Sequence, residues 1–168
     1  MKLKLFIFIA IGMLLNSSIS AQSFFKDTNG KYGLKDANGK VILPGKYVAP
    51  TNFANGYAIV AIENAIGEFY GVIDQNGKEI LECKYSEIEI DNFGSTKFEL
   101  LIKALDFNFV YVSLFDPKTG NEITSPRTYY KIEPFINGRA KVLKNNYVAG
   151  KGSIEAFIDE TGKEINSK

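Results

Sequence analysis

The sequence contains no histidine and no tryptophan, a single cysteine and five prolines in 168 residues. Each shortage excludes something. Without histidine there is no imidazole to activate a serine or a thiol, and none to hold a metal. Cys83 alone cannot close a disulfide within the chain, so stability has to come from packing. Neither sign of charge is in excess, with 20 Lys and Arg against 19 Asp and Glu. A near-neutral chain has no electrostatic attraction for nucleic acid or anionic lipid. Long apolar runs are missing too. The longest, Leu5–Leu15, has about half the roughly 20 residues a spanning helix requires.

That run has a distinctive setting. Lys2 and Lys4 precede it, and Asn16, Ser17, Ser18, Ser20 and Ala21 follow. A positive start, an apolar centre and a small-residue end form a secretory signal peptide, with cleavage expected after Ala21. The next residue is Gln22, not the cysteine that a lipid anchor requires. Residues 22–168 are therefore expected outside the cytoplasm, periplasmic or extracellular, with neither an acyl chain nor a membrane span. Losing Lys2 and Lys4 takes the net charge from +1 to −1.

What the chain has in quantity is aromatic residues, 13 Phe and 9 Tyr, and repetition. An Asp-to-Gly element occurs at Asp36–Lys40, Asp74–Lys78 and Asp159–Lys163, and with one residue inserted at Asp116–Asn121. Its glycines, Gly39, Gly77, Gly120 and Gly162, are separated by 38, 43 and 42 residues. A further copy, Asp27–Lys31, lies out of period. The flanks repeat as well. Ile42, Ile80, Ile123 and Ile165 stand three residues after each glycine, and the small residues Gly33, Gly71, Ser113 and Ala156 stand three before each aspartate. Tyr47, Tyr85 and Tyr129 follow the first three glycines by eight or nine residues. A second element, Phe53–Val60, recurs at Phe135–Val142, and a worn copy is placed between them at Phe93–Leu100.

This two-part pattern resembles the WG-repeat (KWG-repeat) family of bacterial proteins. The matching pieces are Lys31-Tyr32-Gly33, Tyr70-Gly71-Val72-Ile73-Asp74, the Gly-Lys-Glu-Ile of 77–80 and 162–165, and the Phe-x-Asn-Gly-x-Ala-x-Val segments at Phe53 and Phe135. The resemblance covers about residues 25–166, as one repeat domain over 22–168 with partial copies at its ends. The tryptophan that names the family is replaced by Tyr32 and Tyr70, and the later copies carry Val112-Ser113 and Glu155-Ala156. The resemblance implies an architecture and a binding or scaffold role, and no catalytic residues.

The local patterns are those of strands. Arg139–Lys144 alternates polar and apolar residues, Ala58, Val60 and Ile62 share one face, and Tyr70–Asp74 is aromatic and β-branched. Asp-x-Asn-Gly then reverses the chain, with Asp capping the turn and Gly supplying positive φ. Glu87–Ile90 reads as a strand, and residues 97–115 as a hairpin through Asp106-Phe107-Asn108. The fold class is therefore all-β: antiparallel hairpin or meander repeats of about 40 residues, stacked into an open twisted array, with an incomplete β-propeller as the alternative.

Candidate chemistry is sparse. Asp-x-Asn-Gly resembles the start of a calcium loop, but the chain re-enters a strand before enough oxygens accumulate. Glu63, Glu68, Glu79, Glu82, Glu87, Glu89 and Asp91 read as solvated faces, not as the opposed pair of a glycosidase. Catalytic, cofactor and metal residues are all expected to be absent. Tyr32, Tyr47, Tyr70, Tyr85 and Tyr129 recur in register and have two readings: packing between units, or a ladder of rings for a glycan or an extended peptide. The expected function is a non-catalytic interaction or scaffold module of the cell envelope with a protein or glycan partner. An accessory or hydrolytic factor acting on envelope polysaccharide is the alternative.

Overall fold

The structure is a computed structural model and describes residues 22–108, 110–144 and 152–166. The expected signal segment, 1–21, lies outside the described residues. No helix occurs among the described residues, and none is long and apolar enough to cross a membrane. Four antiparallel meanders follow one another in chain order. β1 (Ser23–Lys26), β2 (Tyr32–Lys35) and β3 (Val41–Tyr47) form the first sheet. β4 (Tyr57–Asn64), β5 (Gly67–Asp74) and β6 (Glu79–Tyr85) form the second. β7 (Glu87–Asp91), β8 (Leu101–Leu105) and β9 (Val112–Phe115) form the third. β10 (Tyr129–Ile132), β11 (Arg139–Lys144), β12 (Ile154–Asp159) and β13 (Glu164–Ile165) form the fourth.

Each sheet is stitched to the next by one continuous stretch of chain. After β3 the backbone runs on along β4, where Val48 N–H donates to Ala61 O at 2.9 Å and Thr51 N–H to Ile59 O at 2.8 Å. β6 passes into β7 in the same way. The segment after Asn121, bridged to β9 through Phe115 and Glu122, leads into β10. The sheets therefore stack in tandem, with the main contacts between neighbours running through β3 and β4, β5 and β7, and β9 and β10. This is the open array.

Three of the Asp-to-Gly turns follow one backbone path, whereas the residue inserted in Asp116–Asn121 makes Gly120 N–H donate to a carbonyl four residues back, Asp116 O at 2.7 Å, where Gly39, Gly77 and Gly162 reach three residues back. Gly39, Gly77, Gly120 and Gly162 all lie at φ between 74° and 80°. In the first sheet Asp36 Oδ1 accepts the N–H groups of Asn38 and Lys40, both at 2.9 Å, and Gly39 N–H donates to Asp36 O at 3.0 Å. This is a three-residue hairpin loop whose last residue must be left-handed, hence glycine. The out-of-period Asp27–Lys31 is the same turn used at the opposite end of the first sheet, between β1 and β2.

The second repeated element is a two-residue turn with both central residues left-handed: Asn55 and Gly56 at φ 51° and 88°, Asn137 and Gly138 at 51° and 76°. The third copy corrects the expected alignment. Phe93 and Gly94, at φ 50° and 76°, occupy the places of Asn and Gly, so Phe93 matches Asn55 and not Phe53. The turn geometry fixes the alignment here, not the aromatic residue. The following strand, β8, starts only at Leu101, after an irregular stretch held by Ser95 Oγ, which accepts Phe98 N–H at 2.9 Å. The hairpin through Asp106–Asn108 and the strand at Glu87 are found as expected.

Three apolar cores lie at the three junctions. Tyr47, Ala58, Val60 and Ile73 are buried between sheets one and two. Val72, Leu81, Ile88, Ile102, Ala104 and Phe115 fill the second junction. Leu101, Leu114, Tyr129, Ala140, Val142 and Ile158 belong to the third. Each fully buried Val, Leu or Ile contributes about 1.5–3 kcal/mol relative to exposure. No sheet keeps both of its faces dry alone, so the array is the stable unit.

Candidate functional site

The repeated glycine before each Val or Leu explains where a site can form. A Cβ at Gly33 would lie 2.5 Å from Leu43 O and 2.7 Å from the Phe25 ring, and one at Gly71 would lie 2.6 Å from Leu81 O. The last strand of each of these sheets bulges directly over its glycine. Tyr32 pairs with Tyr47 while Leu34 pairs with Leu43, and Tyr70 pairs with Tyr85 while Val72 pairs with Leu81.

In the third sheet Ser113 takes the glycine's place. Its Cβ forbids so close an approach, and after the turn, where the first two sheets have their last strand, the chain makes only the Phe115–Glu122 bridge. Thr124 stands where Leu43 and Leu81 stand, and its buried side-chain Oγ1, not a backbone carbonyl, accepts Leu114 N–H at 3.1 Å. The stretch from glycine to tyrosine is one residue longer, Gly120 to Tyr129, and Arg127 turns at φ 49°. A left-handed φ is uncommon for a residue with a side chain and marks local strain. A groove of about 440 Å³ lies over Ser113.

Three rings wall the groove. Tyr85 comes from the end of β6, and Tyr111 and Phe115 lie on the same side of the β9 segment as Ser113. Tyr85 meets Phe115 edge-on, with centroids 5.7 Å apart. Phe107 stands at the mouth, 43% exposed, its ring 4.9 Å from that of Phe69. Lys84 near the end of β6 and Arg127 in the turn before β10 line the groove, and Asp106 and Glu122 supply the opposite charge. Glu122 Oε1 is buried without a hydrogen-bond partner among the described residues. A buried oxygen in that state costs about 1–3 kcal/mol. Burial, then the nearby Glu122 and Glu82 carboxylates, push the Tyr85 hydroxyl up to about 12.

The expected ring ladder is only partly there. Tyr47 is 1% exposed and Tyr129 0%, so neither can present a face to a ligand, because both fill junction cores. Tyr129 donates to Glu164 Oε1 at 3.0 Å, and burial, followed by that carboxylate, lifts its hydroxyl to about 12. Tyr32 and Tyr70 are half-buried; Lys26 Nζ lies 5.4 Å from the centroid of the former, and the latter donates to Glu68 at 2.9 Å. Of the five, Tyr85 alone lines the groove. Tyr111, Glu122 and the role of Ser113 were not singled out by periodicity. Their signals were departures from it: serine for glycine, and the extra residue before Tyr129.

A second cleft, of about 460 Å³, lies beside Asn55, Tyr57 and Lys118. It contains no unpartnered buried atom among the described residues. The carboxylates from Glu63 to Asp91 singled out above are exposed. Among the described residues no three Cys, Asp or Glu side chains converge as metal ligands would. The Asp36 and Asp74 Oδ1 atoms are already occupied by backbone N–H groups. Cys83, in the bulge over Gly71, lies 3.8 Å from Val60 O, and burial pushes its thiol up from 9.0 to about 11. At pH 8 that lowers the thiolate fraction about a hundredfold. Cys83 should therefore label slowly with a disulfide reagent in the folded protein and rapidly after denaturation. Equal rates would place the thiol in solvent.

These features define a class: a tandem array of small antiparallel sheets, each sharing a strand run with the next. The sequence pattern of the family described as WG containing repeat matches residues 32–64, 70–94 and 114–147, more than half of the chain, and the protein belongs to that family. The first match runs from β2 to the end of β4, so a sequence repeat is divided between two sheets. No curated protein matches the chain.

Proposed function

We propose that this is a non-catalytic interaction module of the bacterial cell envelope, exported by its 1–21 segment, which holds a partner in the groove over Ser113. The observation that carries this reading is the buried, unpartnered carboxylate oxygen of Glu122 in a ring-lined groove that breaks the repeat. A buried polar atom without a partner is retained at a cost, and such atoms are rare outside strained or ligand-binding sites. Arg127, left-handed at the rim, is a second mark of the same kind. Export is supported by the order of charge, apolar run and small residues before Gln22.

The test uses immobilised protein and fractionated envelope extract. Wild type should retain a component that a Tyr85→Ala/Tyr111→Ala variant, folded by circular dichroism, loses. Identical retention by both would remove the groove as the binding face. Hydrolysis of labelled cell-wall polymer that co-purifies with the protein would overturn the non-catalytic reading.

A further inference from the structure

The geometry points to a saccharide as the occupant of the groove over Ser113, a neutral sugar ring seated on Tyr85 and Tyr111 with its hydroxyls on Glu122 and Ser113. This rests on the proposed function, because it names the class of partner for the same groove.

A pyranose has a C–H face that packs on aromatic rings and a rim of hydroxyls that both donate and accept. The groove offers the complement of each. Its walls are rings with polar tips, which suit a ligand that is apolar on one side and wet on the other. Glu122, one of whose carboxylate oxygens has no hydrogen-bond partner among the described residues, and Ser113, whose hydroxyl can both donate and accept, are among its lining residues. Asp106 does not compete for the role, because its Oδ1 already accepts the N–H groups of Val110 and Tyr111 at 2.8 and 2.9 Å.

The charges argue against an ionic ligand. Lys84 and Arg127 balance Asp106 and Glu122, so neither an anion nor a cation gains from the local field. An apolar ligand would leave the Glu122 oxygen unpaired and gain nothing from it. A volume of about 440 Å³ lies within the roughly 300–1,000 Å³ of small-ligand sites. Phe107 at the mouth is 43% exposed, so a further sugar ring can meet it there. An extended peptide is the competing occupant.

The experiment follows backbone amide resonances of the full protein during separate additions of chitin oligosaccharides, β-glucan oligosaccharides and a pool of short unstructured peptides. At least one saccharide is expected to shift Tyr85, Ser113 and Glu122 saturably, and Glu122→Gln is expected to weaken that binding about tenfold. Tyr57→Ala, in the second cleft, should bind as wild type does. The wild-type shift map stands whether or not the variants fold well. The inference is overturned if no saccharide moves these resonances, or if Glu122→Gln binds sugar as tightly as wild type. Movement by peptides alone also overturns it, but leaves the proposed function intact. If nothing moves them and the groove variant still retains the same envelope components as wild type, both readings fall.

Discussion

Gly162→Ala should destabilise the protein by about 2–3 kcal/mol more than Gly39→Ala, although the two glycines share a turn and a backbone angle. Their φ values are 78° and 80°, so the left-handed strain of adding a Cβ is common to both, about 1–2 kcal/mol. What differs is the neighbour. An alanine Cβ at 162 would fall on the carbonyl oxygen of Ile123 in the preceding sheet, whereas one at 39 meets nothing within 4 Å. The other two turns lie between these limits. A Cβ at 77 would touch the Leu43 side chain at 2.8 Å, and one at 120 would approach Ile80 O at 3.1 Å. The three later turns thus lean on the segment that carries the repeated isoleucine of the unit before, at Ile42, Ile80 and Ile123. Urea unfolding of the four alanine variants measures the ranking. Equal losses at 39 and 162 would mean that the turns do not carry the contact between sheets.

Tyr129→Ala and Tyr47→Ala should each cost about 3–5 kcal/mol, the usual range for emptying a buried aromatic site. Tyr129→Phe should cost only about 0.5–1.5 kcal/mol, because Glu164 keeps its contact with Lys144 at 2.8 Å. Thermal melts separate these outcomes. A mild Tyr129→Ala variant would return that ring to the candidate ligand face. The pH dependence points the same way. The Tyr85 and Tyr129 hydroxyls are raised from 10.0 to about 12 in the folded state. Their contribution to stability is complete below pH about 10 and is lost as pH rises through about 12. Absorbance titration should show these two rings ionising last, together with alkaline unfolding.

The junction tyrosines show how far repetition in the sequence could be read. Their spacing established that they occupy equivalent places, but not that those places are buried. A ring repeated on a strand looks the same whether the neighbouring sheet covers it or solvent does. The copy at Phe93 shows the converse limit. Pairing Phe with Phe is natural in one dimension, but the fold aligns backbone angles, and only Gly94 carried that information.

The sequence by itself determined the strands, the hairpin turns and the number of sheets, because alternation, Asp caps and left-handed glycines act within a few residues. It also exposed the change from Gly71 to Ser113. Only the tertiary structure decided what that change does. The consequence depends on a strand ten residues further along, which in the second sheet passes within 2.6 Å of where a Cβ would be. With serine there the strand cannot settle onto its neighbour, and the groove with its unpaired carboxylate is a product of that mismatch between segments.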